Sequence, residues 1–217
     1  MRTIFDEKLA EIHRDLLQLG RMVNDTIYKS VKGLVNHDAV IAQQVIDGDE
    51  KINQKENEID RKSYEIIALQ QPNASDLRRV LAVMRASSEL ERMGDHAASV
   101  SETTIRVKGK KRDEDLEHII SQMGEKITSM CTDIIDAFVE FDVDKARTTA
   151  KRDKEVDELY QSLRLAAVKL MKQDPDSVLA AADYSFVGMH LERIGDYVKN
   201  IAEWIVYLDT GKITDLD

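Results

Sequence analysis

One hexapeptide occurs twice in this chain of 217 residues, as Leu90-Glu91-Arg92-Met93-Gly94-Asp95 and as Leu191-Glu192-Arg193-Ile194-Gly195-Asp196, 101 positions later. A repeat at about half the chain length points to a fold assembled from two related halves, and each half has to be legible as a unit. The echo extends well beyond the hexapeptide. Asp38, Ala42, Asp49 and Asn53 return as Asp142, Ala146, Asp153 and Asp157, an offset of 104, and the only two prolines, Pro72 and Pro175, occupy matching places.

The elements within each half read as helices. Phe5, Leu9, Ile12, Leu16, Val23, Ile27, Val31 and Leu34 fall in steps of three, four and seven, one stripe of a long first helix that stops near Asn36-His37. Asp38 is placed to cap a second helix, whose Ile52, Ile59 and Ile66 stand at heptad spacing up to about Gln70. Gln71-Pro72-Asn73 breaks the chain, and a third helix restarting near Ser75 or Asp76 carries Glu91 and Asp95. Lys108-Gly109-Lys110-Lys111-Arg112 is a basic run without apolar periodicity and reads as a linker. The pattern then repeats, with helix four from Asp113 to Glu140, helix five from Asp142 to about Met171, and helix six after Pro175. The expected fold is all-α: six long helices forming two similar three-helix bundles, residues 1–109 and 110–217, related by a pseudo-twofold axis.

Charge narrows the partners. A net charge of −10 argues against nucleic acid or an anionic bilayer surface, both of which need a basic footprint. No window approaches about 18 uncharged apolar residues, so direct membrane insertion is not expected. The single cysteine, Cys131, implies no disulfide and reads as a small helix filler, which fits the cytoplasm.

Chemistry gathers at the carboxylates. Residues four apart stack on one helix face, so Glu91 sits over Asp95 and Glu192 over Asp196. Such like-charge pairs repel and call for a compensating cation or donor. Helices two and five carry similar pairs, Asp49 with Asn53 and Asp153 with Asp157, and antiparallel neighbours joined by a short break would bring the pairs face to face. Four oxygen-bearing side chains converging in each half suit hard or borderline cations, including more than one ion per site. Glu192 and Asp196 lie off the stripe of Val187, Leu191, Ile194, Val198, Ile201 and Ile205, so the site is expected near the surface. Spacing alone leaves a metal site and a solvated, duplicated face both open. Gly94 and Gly195 point to close approach of another helix. Arg92 and Arg193 are read as partners of carboxylates on neighbouring helices, with phosphate binding as the other possibility. His96 and His190 flank the motifs as accessory ligand candidates; the other three histidines carry no signal.

These residues resemble the PhoU family of phosphate-uptake regulators, whose mark is a duplicated three-helix unit with an acid-x-x-x-Asp motif. Here that motif is Glu91 to Asp95, Glu192 to Asp196 and Asp153 to Asp157. The Leu-Glu-Arg-x-Gly-Asp context and Gln71-Pro72-Asn73-Ala74-Ser75-Asp76-Leu77-Arg78 are similar as well. The resemblance implies a cytoplasmic negative regulator, not an enzyme, that couples a phosphate ABC transporter to a sensor histidine kinase and holds the phosphate-starvation response off when phosphate is plentiful. It also implies transition metal ions, iron or zinc, in multinuclear clusters at the acid motifs. One departure is Asn53, where the motif has Asp: the first cluster then has one negative charge fewer and is expected to bind metal more weakly. Two other classes stay open: a carboxylate-bridged metal-dependent enzyme, against which stands the absence of any Glu-x-x-His pair, and a metal-free helical scaffold. A homodimer is also left open.

Overall fold

The computed structural model describes residues 2–107, 109 and 111–216. Its helices are α1 (Arg2–Val35), α2 (Ala39–Gln70), α3 (Ala74–Arg106), α4 (Glu114–Glu140), α5 (Val143–Ala150), α6 (Asp153–Gln173) and α7 (Val178–Thr210), with a 3-10 turn at Pro175–Ser177. Among the described residues no strand occurs, and no helix is long and apolar enough to cross a membrane.

Capping explains where the helices begin. The Asp38 carboxylate accepts from the backbone N–H groups of Val40 and Ile41, satisfying donors that a helix start leaves unpaired. Asn73 does the same for Ser75 and Asp76, so α3 starts at Ala74, slightly earlier than the sequence suggests. Asp113 and Asp142 cap α4 and α5. Lys108 and Lys110 of the basic linker lie outside the described residues, and Gly109 takes φ +81°, a region that favours glycine.

The fifth helix departs from expectation. In place of one helix from Asp142 to Met171, the chain turns at Lys151-Arg152 and α6 restarts at Asp153. No proline or glycine stands there. The backbone of Arg152 instead bonds three residues back, to Thr149, at 3.1 Å, while its guanidinium reaches α4, 2.6 Å from Asp133 and 2.9 Å from the Ser129 hydroxyl. A tertiary tether therefore tightens the backbone locally.

The predicted α1 stripe is buried throughout, joined by Leu19, and so are Ile52, Ile59, Ile66 and the α7 stripe from Val187 to Ile205. Each such aliphatic side chain contributes roughly 1.5–3 kcal/mol on burial. Helices α1, α2 and α3 pack as one bundle, and α4, α5–α6 and α7 as a second. The bundles meet where α1 packs on α4 and α3 on α7, which are the pairs of repeat-related helices; such self-paired elements flank a pseudo-twofold axis. One continuous apolar core results, with α2 and α5–α6 on the outside. Gly124 lets α4 come close to α1, since a Cβ there would stand 2.7 Å from Val31 Cγ1.

A polar network also ties the halves. Glu117 on α4, only 4% exposed, accepts from Arg112 Nη2 at 2.6 Å and from the Tyr184 hydroxyl of α7 at 2.5 Å, with His37 Nε2 at 2.6 Å from the α1–α2 turn. Arg112 in turn donates to the Val35 carbonyl at 2.8 Å. The linker is thus anchored to the end of α1.

Candidate metal centre

In the first half, α2 and α3 run antiparallel and bring the predicted acids together. Burial raises the pKa of Asp49, reinforced by the nearby charge of Asp95 and opposed by the Asn53 amide. Burial raises that of Glu91 too, with the charges of Asp95, Glu56 and Asp49 adding to it. Gly94 faces Ile52, whose side-chain carbons a Cβ there would meet at 3.1 and 3.2 Å, and it stands beside Asp49. Helix α2 carries more acid on this face than the motif suggests: Asn53, Glu56 and Asp60 follow Asp49 in steps of four, three and four, a single helix face.

The second half is more enclosed. Asp153, at the first turn of α6, is 5% exposed. Burial, with the charges of Asp157 and Asp196 added, pushes its carboxyl up to about 7. Burial and Asp196 also raise Asp157, and the same two causes raise Glu192. Lys199 opposes all three, its Nζ lying 4.0 Å from Asp153 Oδ2. At the place of Glu56 and Asp60 this half has Tyr160 and Arg164, 104 positions on.

Three buried oxygens bear on whether these residues suit a metal. Asp49 Oδ1, Asn53 Oδ1 and Asp153 Oδ1 have no hydrogen-bond partner, although buried polar atoms are nearly always paired. An oxygen lone pair left bare among like charges is suited to a cation. The donor chemistry therefore fits a metal ion. The side-chain arrangement is not yet a coordination shell: among the described residues, no three His, Cys, Asp or Glu side chains are grouped so as to hold an ion. Ligation would require rotation of the exposed Asp95 and of the half-buried Glu91, Glu192 and Asp196.

The flanking residues take other places. His96 and His190 face each other across the antiparallel α3–α7 seam with their Nδ1 atoms 2.7 Å apart, so one donates to the other. Burial lowers both, His190 to about 4. Arg92 pairs with Glu89 of its own helix at 3.5 Å and lies over the Tyr197 ring. Arg193 pairs with Asp196 at 3.3 Å and Glu192 at 3.9 Å, also on its own helix. Both expected partners on neighbouring helices are thus replaced by local ones. Cys131 is fully buried, and burial pushes its thiol up to about 12, as a packing residue rather than a nucleophile.

Sequence reasoning missed Glu56, Asp60, Lys199 and the Glu117 network. The four-three-four spacing on α2 was the available signal for the first two.

Comparison with known proteins agrees with this duplicated architecture. The PhoU domain model matches the chain twice, over residues 16–104 and 120–205. A phosphate-specific transport system accessory protein PhoU homolog of Streptococcus pneumoniae is 37% identical over 217 residues, with both chains covered completely. A homolog of the same description from Clostridium acetobutylicum is 38% identical, covering 100% of this chain and 99% of its own. The crystal structure of the phosphate transport system regulatory protein PhoU from Streptococcus pneumoniae superposes with a TM-score of 0.91 at 36% identity, covering 97% of this chain and 99% of that one. PhoU from Pseudomonas aeruginosa gives 0.92 at 33% identity, over 96% of this chain and 100% of that one. With the domain matched in each half and the whole architecture shared, this chain belongs to the PhoU family.

Proposed function

We propose that this chain is a cytoplasmic negative regulator of phosphate uptake and the phosphate-starvation response, acting by binding rather than by turnover. It joins a phosphate ABC transporter to a sensor histidine kinase, and transition metal ions, iron or zinc, at the two carboxylate clusters tune the contact. The observation that carries the metal reading is Asp153, 5% exposed, with Oδ1 unpartnered among like charges. The transport role is supported by the names of the relatives, phosphate-specific transport system accessory proteins.

Asp153, Asp157, Glu192 and Asp196 would hold metal in the second half, and Asp49, Asn53, Glu91 and Asp95 in the first, with Glu56 beside them. A bound ion supplies concentrated positive charge on an otherwise acidic surface. The residues' own task is to span α2–α3 and α6–α7, so that loading fixes each helix pair. A partner would then meet a rigid surface of changed charge. A metal-free scaffold is the second reading, favoured by the lack of a grouped ligand set among the described residues.

Membranes containing the transporter and the kinase, incubated with protein as purified, after chelation, and after reloading with iron or zinc, distinguish the readings. Co-sedimentation that is lost on chelation and restored on reloading is the expected result. Equal binding in all three states would leave the scaffold reading, and no binding in any state would remove the docking role.

A further inference from the structure

Helix α3 contains arginines but no lysine, and four of its five arginines, Arg78, Arg85, Arg92 and Arg106, are separated by multiples of seven residues. That spacing keeps them near one face of a straight helix, with each step about 10.5 Å long. Because α7 runs antiparallel, its residues meet this row in the same steps. Arg78 Nη1 reaches Gly211, 2.9 Å from where a Cβ would stand. Arg85 lies over the Trp204 ring at 5.6 Å and Arg92 over the Tyr197 ring at 5.9 Å. Arg106 pairs with Asp183 at 3.0 Å and lies over Phe186 at 5.6 Å.

Guanidinium planes stack on ring faces and keep N–H edges free for carboxylates, which an ammonium does not. The side chains of Arg92 and Arg106 remain half exposed, and Arg92 reaches a carboxylate, Glu89, only at 3.5 Å. Arg85 is exposed, with no carboxylate in ion-pair range among the described residues. A row built only to hold the halves together would not leave this charge facing outward. The positions on α7 equivalent to the four arginines, 101 residues on, are Leu179, Phe186, Arg193 and Tyr207. Leu179 is 70% exposed and Phe186 42%. The seam face is thus amphipathic, with a cationic edge on α3 and a largely apolar edge on α7.

We propose that this face docks an amphipathic acidic helix of a partner protein, its carboxylates on the α3 arginines and its apolar stripe on α7. The inference does not depend on metal at either cluster. A helix presents side chains in stripes of the same seven-residue period as the row. Arginine, tryptophan and tyrosine together are the composition of interface hot spots. A bare polyanion would gain nothing from covering Leu179 and Phe186. A flat anionic bilayer would bring its charge against Glu91, Asp95, Glu192 and Asp196 on the same two helices, and against a net charge of −10. A single helix, about 10 Å across, is narrow enough to engage the row alone.

Trp204 is the single tryptophan of the chain, so its fluorescence reports on the row directly. Full-length protein is titrated with a synthetic amphipathic helix carrying Glu at every seventh position beside a Leu stripe, and with a counterpart carrying Lys in place of Glu. The acidic helix should give a saturable change and the basic one none. Arg85→Gln combined with Arg92→Gln should weaken binding of the acidic helix by about tenfold or more. Arg85→Glu combined with Arg92→Glu should exchange the preference for the basic helix. Circular dichroism establishes that each variant is folded. No saturable change with the acidic helix, or equal affinity in the folded Gln variant, overturns the proposal. So does a change produced instead by phosphatidylglycerol vesicles, or one that follows protein concentration alone with a dimer mass in sedimentation, which would give the face to a second copy.

Discussion

The carboxylate of Asp153 occupies the space that a side chain at Gly195 would need: a Cβ there would collide with Asp153 Oδ1. Glycine in the middle of α7 costs helix stability of about 1 kcal/mol relative to alanine, and here that cost admits the Asp153 carboxylate. Gly195→Ala should therefore displace Asp153 while the gain in helix propensity offsets much of the strain. Net stability should change by less than about 1 kcal/mol, while metal held by the second cluster falls. Gly94→Ala is the control, because a Cβ there meets Ile52 carbons at 3.1 and 3.2 Å, a contact that small shifts relieve. Chemical denaturation together with metal analysis of both variants separates the two effects.

The crossing of α1 and α4 presents a different case. A Cβ at Gly124 would stand 2.7, 2.9 and 3.1 Å from three carbons of Val31, a β-branched side chain with little freedom to turn. Gly124→Ala should destabilise the protein by about 1–3 kcal/mol in urea unfolding, since two helices of one continuous core must separate. Restoring space with Val31→Ala in the same chain should recover part of the loss.

Glu117 makes stability depend on pH. Burial alone would raise its pKa, but hydrogen bonds from Arg112, Tyr184 and His37 outweigh that and hold the carboxyl below its ordinary value of 4.5. A carboxylate with a depressed folded pKa adds stability that is present above the unfolded value and is lost as pH falls through the folded one. Glu117→Gln should cost about 2–3 kcal/mol at pH 7, with Arg112 and Tyr184 left without their charged partner. The gap between wild type and variant should narrow as pH drops below 4.5, which denaturant titrations across the pH range would follow.

Much of the fold is legible in the sequence because long helices expose their period. The stripe from Phe5 to Leu34, the two proline breaks and the repeated hexapeptide place the helices and their duplication. The turn at Lys151-Arg152 is not legible, because its cause is the reach of Arg152 to Asp133 and Ser129 on another helix. Duplication both exposes and obscures the candidate site. Matching the halves brings out Asp49, Asn53, Asp153 and Asp157 but passes over whatever differs between them, including Glu56 opposite Tyr160 and Lys199 opposite Ala98. His37 carried no signal in the sequence because Glu117, its partner, lies 80 residues away.

The most direct test of the central claim is the metal content of the purified protein, measured by elemental analysis, beside that of an Asp95→Ala and Asp196→Ala double variant shown by circular dichroism to be folded. The account predicts bound transition metal in the wild type and its loss from the double variant. Equal metal content in the two proteins, or a wild type that binds none even when iron or zinc is supplied, would contradict it.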